Sequence, residues 1–353
     1  MDSSLLVVVS LLLAAAIGFT AQQASLCTVR AVAEVLSTRR GLMLLSFVKT
    51  VLWVFVLTQL LLLLWPDGMR PVASWALSPL AIGGGVIFGL GAAINGGCSI
   101  SVISKLANGR LAMAANLLGL AAGLFGSLLL AQSFTFAAPR EAASLAVDFG
   151  PWLMPATIGL GLWALWEVQR LWRTRARELT WRARVTAASY RLSTAAALLG
   201  ISNALLYGLN GPWAYTGTFS SVTKAALNDA VGPAPILWGL FAALLAGAAL
   251  GGWHRKTLSL RLGGWRDWAR HFAGGLMMGT GAALIPGGND VLLLHGIPNL
   301  SAHALPAFAG ILVGIALALS LARRMAGMVL TVDCSGDLCG VDRMTRQPPE
   351  KAS

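Results

Sequence analysis

Nine apolar runs, each close to the length a lipid bilayer demands, constrain this chain more than any other feature. A helix needs about 20 apolar residues to cross the hydrocarbon core, and candidate windows lie at 4–21, 41–65, 79–97, 111–133, 152–171, 190–209, 233–253, 270–288 and 304–325. Of the 353 residues 56% are hydrophobic and only 11% are charged, whereas soluble domains carry about 25% charged residues. The expectation is an all-α polytopic membrane protein with about nine transmembrane helices. The run from Leu5 to Ala16 has the look of a signal peptide, but it lacks a basic flank and follows acidic Asp2, so it is read as a retained span.

The net charge of +12 sits between the apolar runs, so topology accounts for it and nucleic acid is not implied. Arg170, Arg173, Arg175, Arg177, Arg182, Arg184 and Arg191 form the densest cluster. His254, Arg255, Lys256, Arg261, Arg266 and Arg270 form a second, joined by Arg39-Arg40, Lys105 with Arg110, and Arg323-Arg324. Basic loops stay cytoplasmic, which sets the N-terminus outside and the C-terminus inside. The chain then divides into a first membrane repeat at 1–171, a basic cytoplasmic loop at 172–189, a second repeat at 190–328 and a cytoplasmic tail at 329–353.

The apolar run after Gly83 breaks at Asn95-Gly96-Gly97-Cys98-Ser99 and resumes as a short amphipathic piece. Paired glycines are costly in a helix, and such a break survives in a bilayer only where it is buried in protein or lines a cavity. The break has a counterpart: Gly84-Gly85 matches Gly274-Gly275, Gly89 matches Gly279, Gly91-Ala92-Ala93 matches Gly281-Ala282-Ala283, and after a one-residue slip Gly96-Gly97 matches Gly287-Gly288. Gly119 and Gly123 fall opposite Gly310 and Gly314, and Cys98-Ser99 opposite Asn289-Asp290. With the topology above, the two copies run in opposite directions. Inverted repeats with broken helices point to a transport site near the midplane. Small-residue helices that merely pack tightly would look similar.

The candidate site residues follow from the breaks. A half-helix starting at Ser99 would aim free N–H groups and a positive dipole end at Cys98, Gly96, Gly97 and Asn95, a ready anion site. Cys98 would contribute a weak S–H donor there; as an isolated residue it would be a small buried hydrophobe. Cys27, after Gln22-Gln23-Ala24-Ser25, repeats the arrangement, with Gln23 among the polar groups that would face a cavity or an interfacial loop. A second short helix is expected within 210–232. Asn289 and Asp290 stand at the second break, where Asp290 would either bind or cap the half-helix that follows. Lys49 is expected to snorkel, Lys224 would face the path, and tryptophans at 152, 163, 166, 172 and 181 would mark interfaces. His295 and His303 are expected on an extramembrane turn without metal geometry. The tail pair Cys334 and Cys339 is expected to stay unbridged in a reducing cytoplasm. No cofactor is implied, and no enzyme motif stands out.

Three segments together resemble the YeeE/YedE family of bacterial sulfur-compound transporters: Gly18-Phe19 with Gln22-Gln23-Ala24-Ser25-Leu26-Cys27, Ile94-Asn95-Gly96-Gly97-Cys98-Ser99-Ile100, and Ile285-Pro286-Gly287-Gly288-Asn289-Asp290. The resemblance runs through roughly 5–325. It implies an inner-membrane protein of nine spans plus half-helices in two pseudo-symmetric halves around an hourglass constriction. It also implies thiosulfate uptake, with Cys27 and Cys98 matching two cysteines that hand the anion inward. The family's third, second-half cysteine has no match here, and Asn289-Asp290 stands at that break. A selenium compound or another sulfur anion is therefore a further substrate class.

Two rival classes remain at the level of sequence. A membrane redox or sensor protein would use Cys27 and Cys98 as a thiol switch, which thiol titration under oxidising and reducing conditions separates from transport. A structural subunit would hold a cytoplasmic sulfur-carrier protein at the basic loop 170–191. The partners expected of the transporter are a small sulfur anion, membrane lipid and that carrier.

Overall fold

The computed structural model describes residues 3–70, 72–133, 139–176, 189–227, 232–332, 334–335, 337–339 and 343–346. A long helix stands at each of the nine apolar windows. These are α1 (Ser3–Ala24), α3 (Leu42–Leu64), α4 (Pro79–Asn95), α6 (Ala114–Ser133), α8 (Gly150–Ala176), α9 (Leu192–Asn210), α11 (Pro235–His254), α12 (Trp265–Leu284) and α14 (Ala304–Ala326). Between them lie the short helices α2 (Thr28–Thr38), α5 (Ser99–Ala107), α7 (Leu145–Asp148), α10 (Tyr215–Leu227) and α13 (Asn289–Val291), the last continuing as a π-helical turn over Leu292–Gly296.

Seven helical stretches among the described residues are long and apolar enough to cross a membrane, and the protein is a mostly helical, multi-pass membrane protein. The helices at windows 152–171 and 270–288 fall outside that set. Both carry charge: α8 holds Glu167, Arg170 and Arg173, and the first turns of α12 hold Arg266, Asp267 and Arg270.

Local chemistry starts and stops the helices. Pro79 and Pro235 occupy first turns, where a missing N–H costs nothing. Ser78 Oγ accepts from Leu80 N at 3.1 Å to open α4. The carboxylate of Glu34, on α2, accepts from Leu42 N at 3.0 Å and Met43 N at 2.9 Å and so caps α3.

The centre is built by close backbone approach. α12 packs between α4 and α6, α14 lies on α4, α1 lies on α11 and α9, and α9 also lies on α3. A methyl added at Gly85 or Gly89 would stand 2.3 Å from Ala307 O or 2.2 Å from Ile311 O on α14. A methyl at Gly275 or Gly279 would stand 2.2 Å from Asn116 O or 2.1 Å from Leu120 O on α6. Gly84 abuts Gly281 and Gly91 abuts Gly274, so α4 and α12 run antiparallel.

Several side chains depart from the sequence expectation. Lys49 does not snorkel: its Nζ meets Glu167 Oε1 at 2.8 Å and Ser193 Oγ at 2.8 Å, because a buried carboxylate on α8 faces it across the helix interface. Lys224 lies over the Trp75 ring, 6.0 Å from its centroid. Trp152, Trp166 and Trp172 are exposed as interface residues should be, while Trp163 packs on Trp53. His295 is buried in the π turn, donating from Nε2 to Trp213 O at 2.9 Å, and His303 is buried too, where desolvation lowers its pKa below the ordinary histidine value. Trp181 and most of the basic loop, 177–188, lie outside the described residues.

The tail corrects a second expectation: Cys334 and Cys339 are joined in a disulfide. The strands β1 (Met328–Thr331) and β4 (Arg343–Arg346) pair antiparallel, as do β2 (Cys334–Ser335) and β3 (Leu338–Cys339). The second pairing sets Cys334 opposite Cys339 with their Cα atoms 4.0 Å apart, so the fold itself brings the sulfurs together. Asp337 then accepts at the start of α9, through its backbone carbonyl from Leu192 N at 2.8 Å and its carboxylate from Ser193 Oγ at 3.0 Å.

Candidate substrate site

Each long helix that leads into the centre ends in a sharp reversal, and the chain re-enters as a short helix. α1 ends with Ser25 in the left-handed region (φ 51°) and Leu26 N bonded to Ala21 O at 3.2 Å. α4 ends with Gly96 at φ 71° and Gly97 N bonded to Ala92 O at 2.9 Å. Glycine adopts this backbone without penalty, and the pattern closes off the helix's last carbonyls. α12 ends the same way, with Gly287 N on Ala282 O at 2.9 Å. Cys27, Cys98 and Gly288 each become the N-cap of the short helix that follows.

The N-terminal ends meet. Thr28 N, the first amide of α2, donates to Cys98 Sγ at 3.3 Å. Cys27 Sγ donates to Ser101 Oγ at 3.4 Å, and Ser101 Oγ donates to the Cys98 carbonyl at 3.1 Å. Ser99 gives both its N–H and its hydroxyl to Asn289 Oδ1, and Asn289 Nδ2 donates to Thr28 Oγ1 at 3.0 Å. Cys27, Thr28, Cys98, Ser99 and Asn289 are fully buried, and both cysteines are free thiols. The arrangement is a buried cluster of soft sulfur, hydroxyl and amide groups at the N-terminal ends of two short helices.

Asp290 reaches beyond the half-helix that it opens. Its carboxylate crosses to α10, accepting from Thr216 Oγ1 at 2.6 Å and Thr216 N at 3.3 Å, and Gly288 N donates to the same hydroxyl at 3.2 Å. The acid therefore caps the neighbouring short helix. Beside it lies a cavity of about 50 Å³ bordered by Phe47, Thr50, Asn203, Tyr215 and Leu244, room for a few waters.

The other expected residues are set further from the thiols. Asn95 turns to its own break and to α12, with Nδ2 on Gly97 O at 2.9 Å and Oδ1 on His271 Nδ1 at 2.7 Å. Gly96 and Gly97 contribute the turn. Gln23 Nε2 donates to His254 Nδ1 at 3.0 Å, on the face where Arg255 holds the Ser25 turn through Gln22 O at 2.7 Å and Ser25 Oγ at 2.6 Å. Burial, then the nearby Arg30, lowers the pKa of Arg255 from the ordinary guanidinium value.

Sequence reasoning missed Thr28, Ser101, Thr216 and Lys105. Thr28 follows Cys27 directly. Ser101 and Lys105 stand three and seven residues after Cys98, the spacing of one helix face, and that periodicity was the available signal. By charge alone Lys105 groups with Arg110 between two apolar runs, but it lies on α5 and its ammonium reaches back to the Gly96 carbonyl.

No curated protein sequence matches the chain significantly. The family model described as sulphur transport matches residues 23–317, a range that contains both half-helices that begin after a cysteine and the Asn289 break. The chain therefore belongs to the YeeE/YedE sulfur transport family, whose members carry sulfur compounds across membranes.

Proposed function

We propose that the protein is an inner-membrane permease that imports thiosulfate, or a small anion like it, along a path past Cys27 and Cys98. The observation that carries this reading is the bond from Thr28 N to Cys98 Sγ: the leading amide of one half-helix is aimed at the thiol of the residue that opens another. Half-helix N-termini favour anions. A thiol offers the terminal sulfur of thiosulfate a soft contact, weak enough to release it onward. Sulfate has no such sulfur and gains nothing there.

Two inverted halves, at 1–171 and 190–328 and with nine spans in all, are supported by how the glycine contacts exchange. Shifting Gly85 on Ala307 by the repeat spacing gives Gly275 on Asn116, and Gly89 on Ile311 gives Gly279 on Leu120. Gly119 on Phe272 and Gly310 on Ile82 exchange likewise. The basic ends support a cytoplasmic C-terminus and an external N-terminus. A cytoplasmic sulfur-carrier protein docking at the basic loop 172–189 would remove the anion as it emerges.

The test is uptake of sulfur-labelled thiosulfate by cells lacking other thiosulfate and sulfate importers, comparing intact protein with Cys98→Ala at matched membrane levels. Uptake by the intact chain that is lost in the variant supports the path. Full-rate uptake by Cys98→Ala sinks the thiol contact. No uptake by well-expressed intact protein rejects thiosulfate and moves the assay to selenium and other sulfur anions.

A further inference from the structure

The thiols at the first break are met by a group that the path described above does not use. Lys105 lies on α5 one turn beyond Ser101 and two beyond Cys98, so the three share a helix face. Its Nζ reaches back over Gly97 to donate to the Gly96 carbonyl. A methyl at Gly97 would stand 3.0 Å from that Nζ and 2.3 Å from Ser101 Oγ. Ser101 Oγ also accepts from Cys27 Sγ at 3.4 Å. Ammonium, hydroxyl and thiol thus border one spot at the break.

Among the described residues no carboxylate pairs with this ammonium: the ion pairs join Glu167 to Lys49 and Arg170, and Asp267 to Arg270. An ammonium has three donors, and the Gly96 carbonyl occupies one. The neighbouring guanidiniums serve the Ser25 turn: Arg30 donates to Ser25 O at 2.9 Å and Arg255 to Ser25 Oγ at 2.6 Å.

We infer that Lys105 is the counter-ion that fits this site to a dianion: its ammonium leaves the Gly96 carbonyl and pairs with the charged oxygens of an anion whose sulfur lies against Cys27 and Cys98. The inference rests on the anion path proposed above and adds selection by charge to selection by sulfur. Each half-helix N-terminus is equivalent to roughly half a positive charge, so α2 and α5 together supply roughly one. Lys105 raises the total to about two, which balances a dianion. When the anion moves on, the Gly96 carbonyl takes the ammonium back, so release strands no bare cation. That exchange keeps binding reversible, as conduction requires.

The test uses the purified full-length chain as intact protein, Lys105→Gln and Lys105→Arg. Thermal stabilisation by thiosulfate in detergent reads binding, and initial uptake rates in proteoliposomes give KM and Vmax. Lys105→Gln should raise both the half-maximal stabilising concentration and KM by roughly tenfold or more, with the ligand-free melting temperature little changed. Lys105→Arg, which keeps the charge, should stay within about threefold. Monovalent thiocyanate, used as a competitor, should lose less affinity in Lys105→Gln than thiosulfate does. An unchanged thiosulfate response in Lys105→Gln overturns the inference. So do equal losses in both variants with a lowered ligand-free melting temperature, which mark a structural lysine. If the intact protein binds thiosulfate without carrying it, the permease reading falls and the binding arm alone decides on Lys105. If thiosulfate neither binds nor is carried, both fall.

Discussion

Ser99 and Asn289 stand 190 residues apart in the chain and meet at its centre, Ser99 giving Asn289 Oδ1 both its hydroxyl and, at 3.3 Å, its N–H. The other end of the same amide donates to Thr28 Oγ1 at 3.0 Å. One side chain therefore ties the second-half break to both thiol-bearing half-helices. A thiol in its place could accept from these groups only weakly, so the amide gives the centre a firmer tie.

Removing that tie should be costly. Asn289→Ala leaves the buried Ser99 N–H and the hydroxyls of Ser99 and Thr28 without their partner, a loss of about 1–3 kcal/mol. The expected result is a melting temperature lowered by several degrees in detergent, followed by tryptophan fluorescence. An unchanged melting temperature would mean that water replaces the amide and that the centre is wetter than its burial indicates.

The long helices were legible because bilayer thickness dictates run length, and each apolar window holds a helix. The re-entrant pieces at Cys27 and Cys98 were legible because polar residues and a Gly-Gly pair have few other uses in an apolar span. What pairs with what was not legible. Lys49 reads as a snorkelling lysine until Glu167, on another helix, is seen beside it. Asp290 reads as a cap for its own helix alone until Thr216 comes within 2.6 Å. Lys105 follows Cys98 by two helical turns, but only the reversal at Gly96 turns its ammonium back to the break. The tail cysteines read as unpaired because compartment was the only guide, and a five-residue separation says little until β2 and β3 pair.

The central glycines give a paired prediction. A methyl at Gly89 would lie 2.2 Å from Ile311 O, and one at Gly279 would lie 2.1 Å from Leu120 O, contacts with backbone that cannot yield. Gly89→Ala and Gly279→Ala should each destabilise by about 1–3 kcal/mol or prevent folding. Gly159, with nothing within 4 Å of its added methyl, is the control. Gly159→Ala should be neutral or gain about 0.5–1 kcal/mol from helix propensity. Yield and melting temperature from detergent-solubilised membranes make the comparison, and equal effects at all three positions would contradict the packing.

The disulfide hairpin should matter through Asp337. Its carboxylate accepts from Ser193 Oγ at 3.0 Å and Ser193 N at 3.3 Å, and so caps α9. Asp337→Ala should cost about 0.5–2 kcal/mol, as lost N-caps do. Cys339→Ser, which opens the hairpin without touching the cap, should show part of the same loss. Reduction with dithiothreitol should lower the melting temperature of the intact protein but not that of Cys339→Ser. If reduction leaves the intact protein unaffected, the hairpin holds Asp337 without its sulfur bridge.

The pair Lys49–Glu167 gives the largest expected effect from a single charge. Glu167 is 1% exposed and Lys49 14%, and their 2.8 Å contact is shared with Arg170, at 2.7 Å from the same carboxylate oxygen. Glu167→Gln leaves the Lys49 ammonium buried against Ser193 with no carboxylate in contact, Asp337 lying beyond that hydroxyl, a loss of about 3–5 kcal/mol by analogy with broken buried pairs. Replacing both partners, as Lys49→Met with Glu167→Leu, removes the stranded charge along with the bond. Swaps of this kind are often neutral or stabilising elsewhere. Here Arg170 also leans on Glu167, so the double variant should recover most, though not all, of the loss. A double-mutant cycle on thermal stability reads the coupling directly. A double variant as unstable as Glu167→Gln would show that packing of the two side chains, and not their charges, holds α3 against α8.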